Sequence, residues 1–418
     1  MFIRGRFLTN CYISSVARSR LQIQLQKTVS PSMNPAIAPK FRVYTLAIFL
    51  LVLAPRMVRA ESSVSFKHQD YRESGGRVVI RTQGAYVEQD IGTATLLKAE
   101  GIIDAIAGAT PTGQPAPAGS DQVPLAQLTD RRKAWSASLG HQFARSRITV
   151  GLANSRESDY VSTGWSLNTQ TDFNEKNTLL LAGLSGTDDT IDVFYQTAAV
   201  KKRTHDAIFG VTQLLDAKTS VTLNVSWGRQ QGYLSDPYKL VQRRTEIIPG
   251  LFLPLTFAEN RPGEREKWIG QFTLNRAVPK ARGAVEASYR LYHDSFDTAA
   301  HTFDLSWFQQ LGGRVILRPN LRFHDQTAAS FYRYRWDDSD VVPVAGPPQP
   351  QGPFYSSDYR LSEMQTFTLG LKFIWKATEA LGFNAAYERY EMRGTDGVTP
   401  QSAYAQADIF TVGARWAW

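Results

Sequence analysis

The chain has almost no cysteine and only one long apolar run. Cys11 is the single cysteine among the 418 residues, and it lies in the N-terminal leader. The rest of the chain therefore has no thiol, which excludes disulfides, zinc–cysteine sites and cysteine nucleophiles. The apolar run, residues 43–54, is shorter than the roughly 20 residues that a helix needs to cross a bilayer.

An excess of positive charge is also missing once the leader is set aside. The whole chain has 47 Lys and Arg against 38 Asp and Glu. Residues 1–60 hold nine of these bases and no acid, so 47 minus 9 leaves 38 bases against 38 acids in residues 61–418. A neutral mature chain does not favour a nucleic-acid partner, and we expect none.

The leader has the order of a secretory signal peptide. Bases at Lys40 and Arg42 precede the apolar run, and small residues stand before a predicted cleavage site between Ala60 and Glu61. A signal of ordinary length would begin at Met33. The alternative is an uncleaved anchor or a buried helix.

Three segments follow from this interpretation. We expect residues 1–32 to be a disordered upstream extension, 33–60 the signal peptide and 61–418 one domain. The true start codon, Met1 or Met33, stays open.

Alternation of apolar and polar residues dominates the mature chain. In Val221–Trp227 and Phe367–Trp375 every second residue is apolar, as on a strand with one apolar and one polar face. The candidate strands are 64–71, 77–89, 94–105, 132–144, 146–157, 162–173, 177–189, 204–216, 220–232, 266–278, 281–294, 300–312, 313–327, 362–377, 380–394 and 407–418.

The lengths of these strands and of their connections predict a membrane-spanning barrel. Most strands have about 10–14 residues; strands of soluble proteins average about 5–6, and a tilted spanning strand needs about 9–11. Joins after even-numbered strands are short, whereas joins after odd-numbered strands include the long ones: 106–131, 233–265, 328–361 and 395–406. Short periplasmic turns and long extracellular loops are typical of outer-membrane barrels. We predict an all-β fold, a closed antiparallel transmembrane barrel of about 16 strands (14–18), with both termini periplasmic.

Tryptophans recur near strand ends, where membrane barrels carry aromatic girdles against lipid headgroups. These residues predict outer-membrane lipid as a partner, although each alone would suit an ordinary core. The candidate girdle residues are Trp227, Trp307, Trp375 and Trp416.

The C-terminus ends on a patterned strand. Thr411, Gly413, Trp416 and the terminal Trp418 resemble the assembly signal of bacterial outer-membrane proteins. The resemblance implies recognition by the barrel-assembly machinery, which would pair this exposed edge until the barrel closes.

Five non-periodic stretches resemble a bacterial family catalogued only as domain of unknown function thirty-five seventy. They are Asp104–Pro111, Gly232–Val241, Tyr292–Phe296, Phe354–Leu361 and Tyr387–Tyr390. The similarity runs from about residue 64 to the end and implies a Gram-negative outer-membrane barrel without an established activity. Ala107 and Thr110 depart from the family's usual Ser-Gly-Ala-Ser-Pro.

Charged residues on the polar strand faces are candidates for lining a lumen. Rings of arginine would favour anions, whereas acids on neighbouring strands would instead form internal salt-bridge ladders. The candidate lumen-facing residues are Arg314, Arg318, Arg322, Asp304, Glu286, Arg290 and Lys372.

An apolar stretch, residues 247–255, lies inside the long connection 233–265. Exposed outside the membrane it would be a costly patch, so we expect it to fold inward as a constriction or to dock on the rim or on a partner. The candidate constriction residues are Ile247, Ile248, Leu251, Phe252 and Leu253.

Catalytic signatures are weak. The six histidines are scattered without metal-ligand spacing, and the sequence predicts no catalytic residue, metal or cofactor. We expect a porin-like channel for small polar solutes, since barrels of about 16–18 strands can leave an aqueous lumen. The alternatives are a non-conducting barrel plugged by its loops that serves a periplasmic or surface protein, and an outer-membrane hydrolase.

Overall fold

The protein folds into one closed antiparallel β-barrel. A computed structural model describes residues 62–337, 339–344, 346 and 348–418; the predicted extension and signal peptide lie outside them. The strands are β1 Ser63–Glu73, β2 Val79–Ile91, β3 Thr95–Pro111, β4 Leu125–Gln142, β5 Ser146–Arg156, β6 Tyr160–Phe173, β7 Thr178–Ile191, β8 Val200–Asp216, β9 Thr219–Gly232, β10 Leu240–Ile248, β11 Leu251–Ala258, β12 Glu264–Val278, β13 Gly283–Asp294, β14 Ala299–Leu311, β15 Val315–Gln326, β16 Met364–Lys376, β17 Leu381–Gly394 and β18 Gln406–Ala417.

Sixteen of these strands form the wall, and β10 and β11 form a separate hairpin. Each wall strand pairs with its neighbour in the chain, except that β9 pairs directly with β12 across the hairpin. The barrel closes where β1 pairs with β18, from Ser63 opposite Ala417 to Glu73 opposite Ala407. Closure leaves no strand edge unpaired, which a sheet in hydrocarbon requires. The predicted strand number is confirmed.

The connections are sorted by length between the two ends of the barrel. At one end, which also holds Ser62 and Trp418, they are the short turns 92–94, 143–145, 174–177, 217–218, 279–282, 312–314 and 377–380. At the other end they are 74–78, 112–124, 157–159, 192–199, 233–263, 295–298, 327–363 and 395–405. We call the end with the short turns the turn end and the opposite end the loop end. The predicted sorting is confirmed.

The wall has an apolar outer face and a polar inner face. Large apolar side chains such as Phe303, Leu305, Leu369 and Leu371 stay exposed on the outside, as expected where a sheet meets lipid. None of the helical segments in the described part of the chain is long and apolar enough to cross a membrane.

Three expectations about element bounds were wrong. β3 and β4 extend to Pro111 and from Leu125 and pair beyond the predicted 106–131 join. Alternation is lost there because the inner face becomes apolar, with Ile106 and Leu128 buried, and because Ala109, Thr110 and Pro111 are buried in succession. The connection 233–265 contains the β10–β11 hairpin. Arg314 lies in the turn before β15 rather than in the strand.

Candidate functional site: the polar lumen and its cap

The inner face of the wall carries charged side chains that pair across strands. Salt bridges join Lys202 to Asp189 at 2.7 Å, Lys98 to Glu88 at 2.9 Å and Lys267 to Asp206 at 3.0 Å. The side chains of Lys98, Glu88, Lys267 and Asp206 remain 20–23% exposed. The inner face is therefore lined by charged pairs, toward the turn end as well as toward the loop end, that keep access to water.

A glycine on the inner face of β16 lets side chains of the two neighbouring strands meet. Asn320 of β15 donates a hydrogen bond to Glu388 of β17 at 3.3 Å, across Gly370 of β16. A Cβ at Gly370 would lie 2.6 Å from the Asn320 side-chain oxygen. Side chains two strands apart can converge in this way only on the concave, inner side of the wall.

The predicted lumen residues of β13–β16 share this inner face. Arg322 lies opposite Asp304 in the register and pairs with it at 3.4 Å, and Arg318 lies opposite Lys372. Arg290 donates to Thr302 at 3.4 Å. The Arg322–Asp304 pair is one rung of the predicted ladder.

The remaining predicted lumen residues differ in position. Glu286 faces inward opposite Ser306 without an ion pair among the described residues, and Arg314 is exposed in its turn. The guanidinium of Arg318 lies 5.6 Å from the ring centre of Phe308. Their roles in conduction stay predictions.

Connections from distant parts of the wall meet over the loop end. We call the segments 112–124, 233–240, 259–263, 327–363 and 395–405 the cap. Leu240 donates its amide to Thr112 at 2.8 Å, Ala116 donates to the Tyr334 hydroxyl at 2.7 Å, and Val123 donates to Ser402 at 3.2 Å. Because several strands separate these connections around the barrel, the bonds bridge the mouth.

One glycine allows the closest approach in the cap. Gly113 has a φ of 97°, and a Cβ there would lie 2.6 Å from the Leu240 carbonyl oxygen and 3.2 Å from that of Ser357. Three connections thus meet backbone to backbone at a position where only glycine fits.

The cap has a hydrophobic core of its own. It packs against the top of the wall through Met364 of β16 and Met392 of β17. Burial of several aromatic rings contributes about 1.5–3 kcal/mol each, which makes the cap a folded layer. The buried residues are Val123, Phe296, Ala329, Phe331, Tyr332, Tyr334, Leu361, Met364, Met392, Ala403 and Tyr404.

A buried cluster of three acids and three bases ties two connections of the cap together. Arg261 pairs with Glu259 and with Asp358, both at 2.7 Å, and Arg360 pairs with Asp358 and Asp236, both at 2.5 Å. The sixth residue, Lys239, donates to the Pro111 carbonyl oxygen and lies 5.5 Å from the Tyr359 ring centre. We call these six residues the charge cluster.

Burial changes the proton affinities within the charge cluster. It raises the pKa of Glu259 to about 7 and lowers the pKa of Lys239 to about 8. Burial alone would also raise the pKa of Asp358, but the positive charges of Arg360, Lys239 and Arg261 outweigh it and hold that pKa below its usual range. Asp358 therefore stays ionised and links both guanidinium groups.

The pH dependence of cap opening follows from Glu259. Its pKa falls from about 7 toward 4.5 when the cap opens, so the closed cap binds the proton more tightly and loses stability as the pH rises through this window. We expect the opening constant to rise roughly tenfold or more, measured by hydrogen exchange of the Leu240 and Tyr355 amides. Glu259→Gln should flatten the slope, and an unchanged slope would contradict this assignment.

Three carboxylates form a separate cluster near the loop end. Oxygens of Asp130, Glu157 and Asp159 lie within 4.8 Å of one another, and Tyr238 donates a hydrogen bond to Asp159. Burial and the nearby Asp130 raise the pKa of Asp159 to about 7. These oxygens supply only part of the roughly six to eight ligands that Ca²⁺ takes. Asp159 titrates in the same pH range as Glu259 and is bonded to Tyr238 of the cap, so Asp159→Asn measures how much of the pH dependence comes from Asp159.

The predicted constriction residues lie at the tip of the β10–β11 hairpin. Ile247, Ile248, Leu251, Phe252 and Leu253 are 43–59% exposed. The hairpin is held to the cap nearer its base, where Arg244 donates its amide to Asp337 at 2.7 Å and Gln114 donates to Thr256 at 3.4 Å. Their role as a constriction stays a prediction.

The predicted girdle and assembly residues lie on the outer face and at the seam. Trp227 stands directly opposite Trp268 toward the loop end, and Trp375 stacks on Phe383 near the turn end. Trp416 lies 5.1 Å from Trp418, centre to centre. Trp307 lies near the turn end of β14, and Thr411 and Gly413 lie within β18.

Sequence reasoning missed the charge cluster and most of the cap. The signal available was that the five stretches resembling the family lack alternation. Asp236 and Lys239 lie in one of them, and Asp358 and Arg360 lie in another.

Several solved structures are similar to the chain. The siderophore receptor PirA from Acinetobacter baumannii aligns with 10% identity and a TM-score of 0.39 over 81% of this chain and 54% of that chain. A bacterial polysaccharide outer membrane secretin aligns with 8% identity and a TM-score of 0.45 over 87% and 100%. OmpT of Vibrio cholerae aligns with 7% identity and a TM-score of 0.41 over 87% and 99%. The chain spans about half the length of PirA from A. baumannii (54%).

Sequence comparisons give one family. No curated protein matches the chain. A family model described as "Protein of unknown function (DUF3570)" matches residues 52–411, which include every wall strand except the end of β18 and all segments of the cap. The chain therefore belongs to the DUF3570 family.

Proposed function

We propose that the protein is exported to the bacterial outer membrane and acts there as a gated channel for small polar solutes, with the cap as its gate. The observation that carries the proposal is the inner face, where paired charges keep 20–41% of their side-chain surface exposed beneath a folded cap. A barrel of about 16 strands has room for an aqueous lumen. The apolar outer face and the aromatic pairs favour the membrane location.

The lumen should prefer small anions. On β13–β16 the inner face carries Arg290, Arg318, Arg322 and Lys372, whereas its acids are Glu286, Asp304 and Asp294, of which Asp294 is already paired with Arg265 of β12. Fixed positive charge raises the local concentration of anions.

Planar-bilayer recording tests the channel and its selectivity together. We expect rare, resolved openings of the purified barrel. In a salt gradient, the reversal potential should have the sign of an anion-selective channel. The double change Arg318→Gln and Lys372→Gln should move the reversal potential toward the cation side, because it removes two of the four bases. Arg314→Gln, in an exposed turn, is the control and should leave it unchanged. A barrel that never conducts, with the cap closed or loosened, would rule out the channel.

A second function rests on the cap itself. Its aromatic core and charge cluster are packed like a small domain, which favours a permanently plugged barrel that serves a protein partner. That function predicts no current even when the cap is loosened.

A further inference from the structure

Charged residues on the outer face of the wall gather near the loop end, just beyond the apolar band. On most strands they form pairs. Arg72 pairs with Asp70 at 2.6 Å, Arg203 with Asp188 at 3.0 Å, and Arg389 with Asp408 at 3.1 Å; Arg229 pairs with Glu264. Apart from the region described next, these outer charges are therefore largely neutralised within the protein.

β4 and β5 carry outward bases instead of pairs. Arg131, Lys133 and Arg156 are exposed, and Lys133 stands directly opposite Arg156 in the register. None of the three forms an ion pair with a carboxylate of the described residues. Like charges directly opposite each other destabilise a sheet. An anion bound between Lys133 and Arg156 would therefore relieve a repulsion that no carboxylate of the described residues neutralises. We call these three residues the basic patch.

The basic patch stands at the edge of the lipid-facing surface. Trp135 is two residues from Lys133 on the same face of β4 and is 52% exposed, and Leu152 and Trp165 on the next strands are 62% and 44% exposed. Tryptophan marks the level of lipid headgroups. The bases follow immediately on the loop side of that level, where the phosphates of a lipid leaflet would lie.

Nearby charges do not neutralise the patch on its own face. A fourth base, Arg81 of β2, borders the patch, because Ala105 of β3 lies between it and Arg131 of β4. Arg81 itself stands opposite Asp70 of β1. The acids Asp130 and Glu157 are chain neighbours of Arg131 and Arg156, and alternation turns them to the inner face of the wall.

We propose that the basic patch binds the phosphate of an anionic lipid headgroup in the leaflet at the loop end. Lys and Arg beside a membrane attract anionic headgroups, and two guanidinium groups with one ammonium match a phosphate monoester. The apolar surface below the patch holds the acyl chains, which commits the site to a lipid rather than to a free anion. The inference rests on the proposed membrane location, but not on conduction.

Native mass spectrometry of the refolded barrel in a neutral detergent tests the site. The probe is phosphatidic acid, titrated at physiological ionic strength, with phosphatidylcholine of the same acyl chains as the reference. The triple change Arg131→Gln, Lys133→Gln and Arg156→Gln should weaken binding of the first phosphatidic acid molecule by roughly tenfold to a hundredfold. Phosphatidylcholine should bind equally to both proteins.

The matched control removes the same number of bases from the paired positions. Arg203→Gln, Arg229→Gln and Arg389→Gln should change phosphatidic acid binding by no more than about threefold, because those bases are already paired. Equal weakening by both triple changes would overturn the site, as would displacement of the lipid by millimolar inorganic phosphate. Heat-modified migration on gels establishes that each variant folds. If the triple variant does not fold, Lys133→Gln alone replaces it and should weaken phosphatidic acid binding severalfold. A silent barrel that still binds phosphatidic acid would refute the channel and keep this site.

Discussion

Replacing Asp358 with asparagine should open the cap while the barrel stays intact. Asp358 is 1% exposed and accepts hydrogen bonds from both Arg261 and Arg360. Its loss leaves two partly buried guanidinium groups, 11% and 26% exposed, with reduced compensation, and breaking a buried ion pair costs about 3–5 kcal/mol. Because about 1.4 kcal/mol is a tenfold change, the opening constant should rise roughly a hundredfold or more. Hydrogen exchange of the Leu240, Asn260 and Tyr355 amides, all bonded within the cap, measures this change.

A nearby carboxylate supplies the control for Asp358. Asp337 also lies in the 327–363 connection, but it is only partly buried and its contact with Arg335 is 3.9 Å long. Asp337→Asn keeps a side-chain oxygen that can accept the Arg244 amide and loses only this weak pair, so it should change exchange of the same amides by less than about fivefold. Faster exchange of the amides of β15 and β16 in Asp358→Asn would instead mean that the wall itself is disrupted.

Conductance shows what the open cap does. If the cap is a gate, Asp358→Asn should raise the open fraction in planar bilayers in parallel with amide exchange. Fast exchange without current would mean that the lumen is obstructed below the cap, which favours the plugged barrel. Unchanged exchange would contradict the role of the charge cluster in holding the cap.

The wall of the barrel was predictable because lipid and water impose opposite demands on the two faces of every strand. On β16 Phe367, Leu369, Leu371, Phe373 and Trp375 face outward, and Thr366, Thr368 and Lys372 face inward. A shift of one residue would exchange the faces, so alternation also determines the register. The sorting of the connections was predictable from the same architecture, since outer-membrane barrels carry short turns at one end and long loops at the other.

Alternation ends at the loop end of the wall, beyond the apolar band of the outer face, and periodicity predicts no structure past that point. The last three residues of β3, Ala109, Thr110 and Pro111, are buried in succession, which hid the top of this strand from a period-two pattern. The β10–β11 hairpin carries apolar side chains on both faces near its tip. Its turn could have been found, because Pro249 and Gly250 form a turn signal and Gly250 has a φ of 84°.

The charge cluster could not be assembled from the sequence. Its members lie in two connections about a hundred residues apart, Asp236 to Arg261 and Asp358 to Arg360. Each alone resembles an ordinary charged loop residue, and only the closure of the barrel brings them together. The basic patch was easier to find from the sequence, since Asp130–Lys133 is one acid followed by three bases on one strand, but which of these side chains face outward depends on the register of β4.

Removing Trp418 should sharply reduce assembly of the barrel. The amide of Trp418 donates to the Ser62 carbonyl oxygen at 2.9 Å, and Ala417 lies opposite Ser63, so the last residue lies at the seam where β18 meets β1. Trp418 also packs on Trp416. Without it the seam starts from a frayed end, and unpaired backbone groups in hydrocarbon cost several kcal/mol each. We expect a roughly tenfold fall in folded barrel, measured by heat-modified migration of the membrane fraction.

A girdle tryptophan away from the seam separates assembly from general loss of an aromatic ring. Trp375 is 43% exposed on the outer face of β16 and stacks on Phe383. Trp375→Ala removes a comparable apolar surface, yet it leaves the β1–β18 pairing untouched, so its folded fraction should stay within about twofold of wild type. Equal losses in both variants would mean that anchoring at the interface, rather than recognition and pairing of the terminal strand, limits assembly. Normal assembly without Trp418 would show that closure can begin elsewhere along the β1–β18 register.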